Sequence, residues 1–96
     1  MKPSQALEQH RLQVRDVVAR HHGLNPRVFG SVLHRLDEEQ SDIDLLIEPT
    51  AQTSLLDLAK IEVELQRLLG FPVDVVTPAS LPRAWRQAVL DEAQPV

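Results

Sequence analysis

The alternation of apolar and polar positions divides the chain into six elements. Leu7, Leu12, Val14, Val17 and Val18 form a stripe broken by Glu8, Arg11, Arg15 and Asp16. This pattern predicts a first helix, with Ser4 able to cap its start and Gly23 placed to stop it. "RVFG" (27–30) reads as a short strand introduced by Asn25-Pro26, and "IDLLIE" (43–48) as a second strand ended by Pro49. "SLLDLAKIEVELQRLL" (54–69) is a strong helical pattern in which Ser54 and Asp57 form a capping box and Gly70 supplies the exit. "PVDVVT" (72–77) is β-branched and short, hence a third strand. "LPRAWRQAVLDEA" (81–93) predicts a closing helix with Pro82 in its first turn. The order helix-strand-strand-helix-strand-helix implies an α+β sandwich: a small mixed sheet of three to four strands packed with helices, in one domain spanning 1–96.

Composition narrows the classes. In 96 residues, 43% are apolar and 25% charged, enough for a folded core and too short for a second one. Phe29, Phe71 and Trp85 are the only aromatics, so aliphatic residues must fill that core, with Trp85 expected to join it. A net charge of −4 argues against direct nucleic-acid binding, which draws on clustered cations. There is no cysteine, so disulfides and thiolate zinc sites are excluded. "MKPSQALEQH" lacks the apolar segment of a signal peptide, and no run is long enough to cross a bilayer; a cytoplasmic protein without membrane contact is expected.

The chemistry concentrates in "FGSVLHRLDEEQSDIDLLIEP" (29–49). Asp42 and Asp44 lie two apart at the start of a strand, so their side chains project to the same side while Ile43 and Leu45 turn inward. Asp74 stands among the apolar residues of the third strand, where burying a lone carboxylate is costly without a partner or cation. If the second and third strands are neighbours, Asp74 joins the other two in one cluster. Like charges that close raise one another's pKa unless a cation neutralises them. Hard oxygen ligands suit Mg²⁺, and two ions roughly 3.5–4 Å apart can assist an in-line displacement at phosphorus. Gly30 allows a ligand to approach the backbone, and Ser31 offers a hydroxyl and N–H groups at a helix start.

Other readings of these residues carry less. An EF-hand fails because Asp42 falls at the loop position that requires glycine. The four histidines lack zinc-ligand spacing, and Asp37-Glu38-Glu39 reads as a solvated loop.

Gly30-Ser31 followed by Ser41-Asp42-Ile43-Asp44-Leu45 resembles the polymerase-beta-type nucleotidyltransferases in their minimal (MNT) form. The likeness extends through "VFGSVLH", "SDIDLLIEPT", "LLDL", "VDVVTP" and "VLDEAQPV". It implies a nucleotide-binding palm in which Asp42, Asp44 and Asp74 are catalytic acids and Mg²⁺ ligands, with two ions expected. ATP would be the substrate, and Gly30, Ser31, Arg35 and Ser41 would bind the nucleotide. It further implies an antitoxin that pairs with a HEPN-type ribonuclease toxin in a hetero-oligomer and transfers AMP to a toxin hydroxyl, expected to be a tyrosine. Many relatives read G-S-x-A-R-G; here His34 falls on the arginine and Arg35 on the second glycine. Those two departures keep a second function open, neutralisation of the toxin by stoichiometric binding without transfer.

Overall fold

The computed structural model describes all of residues 1–96. Its core is a four-stranded sheet in the order β3-β2-β1-β4, built from β1 (Gly23–Phe29), β2 (Ile43–Pro49), β3 (Val73–Val76) and β4 (Gln94–Pro95). β1 runs antiparallel to β2 and to β4, whereas β2 and β3 are parallel. The parallel pair needs a crossover, supplied by the long helix α4 (Leu55–Leu69).

Helices cover both faces. Val28, Ile43, Leu45, Ile47, Val73 and Val75 point to one side. There they meet α1 (Pro3–Gln9), α2 (Arg11–Arg20) and α4 through Leu7, Val14, Val18, Ile61 and Leu65. On the other side Leu46 packs with Leu81 and with Val89 of α5 (Arg83–Glu92), flanked by Phe29, Val76 and Leu90. Leu45, Leu46 and Ile47 are fully buried in succession, as expected of a central strand covered on both faces.

α4 follows the sequence closely. The Ser54 hydroxyl accepts from the Asp57 N–H at 3.1 Å, the Asp57 carboxylate accepts from the Ser54 N–H at 2.9 Å, and Gly70 ends the helix at φ +78°.

The N-terminal region departs from expectation. The single helix is two, parted at His10, whose Nδ1 lies 2.9 Å from the Ala6 carbonyl and whose backbone closes back on Leu7. A polar side chain bonding its own preceding turn competes with continuation of the helix. Ser4 is not the cap: Lys2 precedes the helix and Pro3 opens it, while the Ser4 N–H donates to Asp37 at 2.9 Å. Gly23 does not stop α2 either. His22 makes the turn at φ +65°, and Gly23 begins β1, where an added Cβ would stand 2.8 Å from Val18 Cγ1 and 2.9 Å from Ile47 Cγ2. Glycine is there because helix and strand leave no room for more.

Two further corrections concern burial. Asp37 is not a solvated loop residue; it is buried, and its carboxylate anchors α1 through Ser4. Burial pushes its pKa up, but hydrogen bonds from the Ser4 N–H, the Ser4 hydroxyl and the Asp37 N–H, together with the Lys2 charge, hold it below the usual carboxylate range. Trp85 is not core: it is 52% exposed on α5. The short edge strand β4 was not expected. It forms because the Val96 N–H donates to the Pro26 carbonyl at 3.0 Å and the Val96 side chain is buried.

Candidate active site

The strand register assembles the site. Asp44 lies opposite Phe29 across the antiparallel pair and beside Asp74 across the parallel pair. The neighbour relation on which Asp74's role depended therefore holds, residue for residue. Asp42 stands one residue ahead of β2, where strand alternation puts it on the side of Asp44. This is the face that carries Leu46, Val76 and α5, away from the larger core.

Gly30 closes the site from above. Phe29 is fully extended at φ −142°, and the chain then turns sharply at Gly30, φ +74°, into the single-turn helix α3 (Gly30–Leu33). A Cβ on Gly30 would lie 2.5 Å from Asp44 Oδ2. A side chain here would both occupy the left-handed region and strike the carboxylate, so only glycine lets the turn sit on Asp44. Ser31 follows, half-buried, with a hydroxyl that bonds to no group of the chain. Its carbonyl accepts from the Leu36 N–H at 2.9 Å, which folds the loop after α3 back on itself.

Charge accumulates where these elements meet. Asp44 has its pKa raised from 3.8 to about 6, first by burial, then by the Asp74 charge and then by Asp42. Asp42 and Asp74 are exposed. Asp74 thus costs stability through repulsion across the strand pair rather than through its own burial, because β3 is an edge strand. No three acids or histidines stand as a ready metal cage. The arrangement still fits Mg²⁺, which is commonly held by one or two carboxylates with substrate phosphates and water completing its shell. Asp42 and Asp44 would be its ligands with Asp74 alongside, and a cation there would offset the repulsion at Asp44.

The remaining expected nucleotide contacts are placed differently. The Ser41 hydroxyl accepts from the Glu38 N–H at 2.8 Å and the Ser41 N–H donates to the Glu38 carbonyl at 3.0 Å. Ser41 therefore shapes the turn that delivers Asp42. Arg35 takes φ +58° and lines a cleft with Glu8, Arg11 and Val28, on the side of the sheet opposite Asp44. His34 is 3.1 Å from Glu92 at the end of α5. That pairing was not legible, since 58 residues separate the partners and neither carries a local signal.

A family model described as nucleotidyltransferase domain matches residues 11–95. A candidate protein adenylyltransferase of Methanocaldococcus jannaschii is 36% identical over 77 residues, 80% of this chain and 83% of that protein. The protein adenylyltransferase MntA of Thermococcus cleftensis is 38% identical over 65 residues, covering 68% of this chain and 66% of its own. Among solved structures, a candidate minimal nucleotidyltransferase superposes with TM-score 0.87 at 39% identity, covering 97% of this chain and 95% of its own. A toxin–antitoxin structure with AMP-PNP shares the fold at TM-score 0.74 and 17% identity, over 88% of this chain and 69% of that one.

Proposed function

The chain belongs to the nucleotidyltransferase domain family, and from that premise we propose that it is an antitoxin that transfers AMP, one or more units, from Mg·ATP to a hydroxyl of a HEPN ribonuclease toxin. The acceptor is proposed to be a tyrosine. The observation that carries this reading is a pair of acids under a glycine turn: Asp44 beside Asp74 in register, with Gly30 seated on the Asp44 carboxylate. The name of the Thermococcus relative, a protein adenylyltransferase, supports the choice of AMP and of a protein acceptor. A toxin partner is supported by the toxin–antitoxin assemblies that share the fold.

Each residue has a task in this reading. Gly30 lets the phosphates approach the backbone, and Ser31 donates its free hydroxyl to them. Asp42 and Asp44 would hold Mg²⁺, with Asp74 available to a second ion. Bound Mg²⁺ supplies neutralisation of phosphate charge and polarisation of the α-phosphorus. Asp74, the most open of the strand acids to an incoming group, accepts the proton of the toxin hydroxyl as its oxygen bonds to the α-phosphorus. The bond from that phosphorus to the bridging oxygen breaks, and pyrophosphate leaves.

One observation favours a second reading, neutralisation by binding alone. His34 is engaged by Glu92 and Arg35 faces the opposite cleft, so both basic side chains of the loop have partners or surroundings other than the acids. Intact mass of the co-purified toxin after incubation with Mg²⁺ and ATP separates the two. A gain of one or more AMP units, lost in Asp42→Asn/Asp44→Asn, is expected. An unmodified toxin that is nonetheless silenced in a tight complex would refute transfer and leave the binding module.

A further inference from the structure

Helix α4 presents a second surface, on the face of the molecule opposite the acids. Its inner side is consumed by the core through Ile61, Leu65 and Leu69. Its outer side nevertheless carries Leu55 at 86% exposure, Leu56 at 63% and Val63 at 46%. Leu56, Ala59 and Val63 recur at helical spacing along one stripe and line a groove of about 490 Å³ with Lys60, Arg67, His21 and Glu64, the last of these paired with Arg20 and His21. Three of the eight exposed large hydrophobics of the chain thus lie on one side of one helix. Scattered apolar residues need no explanation, but a continuous stripe does.

The charges around the stripe say what would cover it. All three acids of α4 are engaged within the chain. Asp57 is bound by Ser54 and His22, Glu62 accepts from the Val75 N–H, and Glu64 lies 3.1 Å from Arg20 and 2.8 Å from His21. Neither base of α4, Lys60 or Arg67, has an ion-pair or hydrogen-bond partner. In a chain of net charge −4, this face sets an apolar stripe beside two unpaired cations. A second copy meeting it face to face would oppose Lys60 and Arg67 to their own images, which disfavours self-association there.

We infer that the outer face of α4 is a docking surface for an amphipathic helix of a partner protein, whose apolar side seats on Leu56, Ala59 and Val63 and whose acidic flank meets Lys60 and Arg67. The inference is independent of nucleotide transfer, because the surface lies across the sheet from Asp44.

The test uses two labelled helical peptides with the same leucine stripe, one flanked by glutamates and one by lysines, titrated into the full chain by fluorescence anisotropy. The acidic peptide binds more tightly, on the order of tenfold at low salt, and shifts the amide resonances of 56–67. Lys60→Glu/Arg67→Glu inverts the preference, whereas Asp44→Asn leaves it unchanged. Equal affinity for the two peptides, no binding of either, or resonance shifts away from α4 would overturn the inference. So would a concentration-dependent dimer of the free chain that Val63→Lys disperses, since the stripe would then be a self-association seam.

Discussion

Replacing Asp44 by Asn is expected to stabilise the free protein while abolishing its activity. In the folded chain the Asp44 carboxyl has its pKa raised from 3.8 to about 6 by burial and by the charges of Asp74 and Asp42. A shift of about two units corresponds to about 3 kcal/mol at 1.36 kcal/mol per unit, as an upper bound. Asp44 is only half-buried, so solvent screening reduces this to roughly 1–2 kcal/mol. The sign follows from linkage: a carboxyl whose folded pKa is raised contributes most below its unfolded pKa, and that contribution is lost as pH rises through the folded pKa. The wild type therefore carries the penalty above pH 6 and sheds it on acidification toward 3.8. Asparagine has nearly the same shape and does not titrate. Urea unfolding in EDTA at neutral pH should find Asp44→Asn more stable by roughly 1–2 kcal/mol, a gain of about 5–10 °C in Tm for a domain of this size. The difference should shrink steadily as pH falls through 6, the raised value. Adding Mg²⁺ should stabilise the wild type and not the variant. A variant less stable than wild type, or a gain that does not change with pH, would refute the account of charge crowding at this site.

Three further outcomes are expected. Gly30→Ala should cost about 1–2 kcal/mol in chemical unfolding, because its residue is held at φ +74° against Asp44, and should also eliminate ATP binding by calorimetry. Arg35→Gly should add roughly 1 kcal/mol to stability by relieving a non-glycine residue at φ +58°, with unchanged unfolding slope as the check. Ser54→Ala should remove about 1 kcal/mol through loss of the α4 cap. The cap also has a pH signature. The Ser54 N–H holds Asp57 below the usual carboxylate range, so its contribution is present at neutral pH and lost as pH falls through that lowered pKa. Denaturation as a function of pH should show that loss in the wild type and not in Asp57→Asn, whereas Ser54→Ala, which keeps its backbone N–H, should retain most of it.

The elements that were legible in the sequence are those whose cause is local. α4 carries its stripe, its capping box and its glycine exit within 17 residues, and all of them formed as the pattern predicts. β2 and β3 were equally plain, and strand alternation put Asp42 and Asp44 on one side, whereas the place of Asp74 beside them depended on the pairing of β2 with β3. What was not legible depends on contacts distant in sequence. The burial of Asp37 depends on Ser4, 33 residues away, and β4 exists only because β1 offers a free edge to Gln94 and Pro95. The break at His10 is local, but it turns on one side chain bonding a carbonyl rather than on any period of hydrophobicity. Trp85 shows the limit of composition as a guide: the largest apolar side chain of the chain lies half in solvent, while a core of Leu, Val and Ile closes without it. At the site, the motif located Gly30 and the acids, yet the orientation of Arg35 and the capture of His34 by Glu92 followed from loop geometry that spacing does not encode.

On the proposed function, Asp42, Asp44, Asp74 and the Gly30 turn form one site for a metal-bound nucleotide. Calorimetric titration of a non-hydrolysable ATP analogue, with Mg²⁺ and with EDTA, tests it most directly. Binding to the wild type that requires Mg²⁺, disappears in Asp42→Asn/Asp44→Asn and survives in Lys60→Glu/Arg67→Glu is the predicted result. Binding of equal strength in EDTA, or undiminished in the double aspartate variant, would place the nucleotide elsewhere and contradict the account.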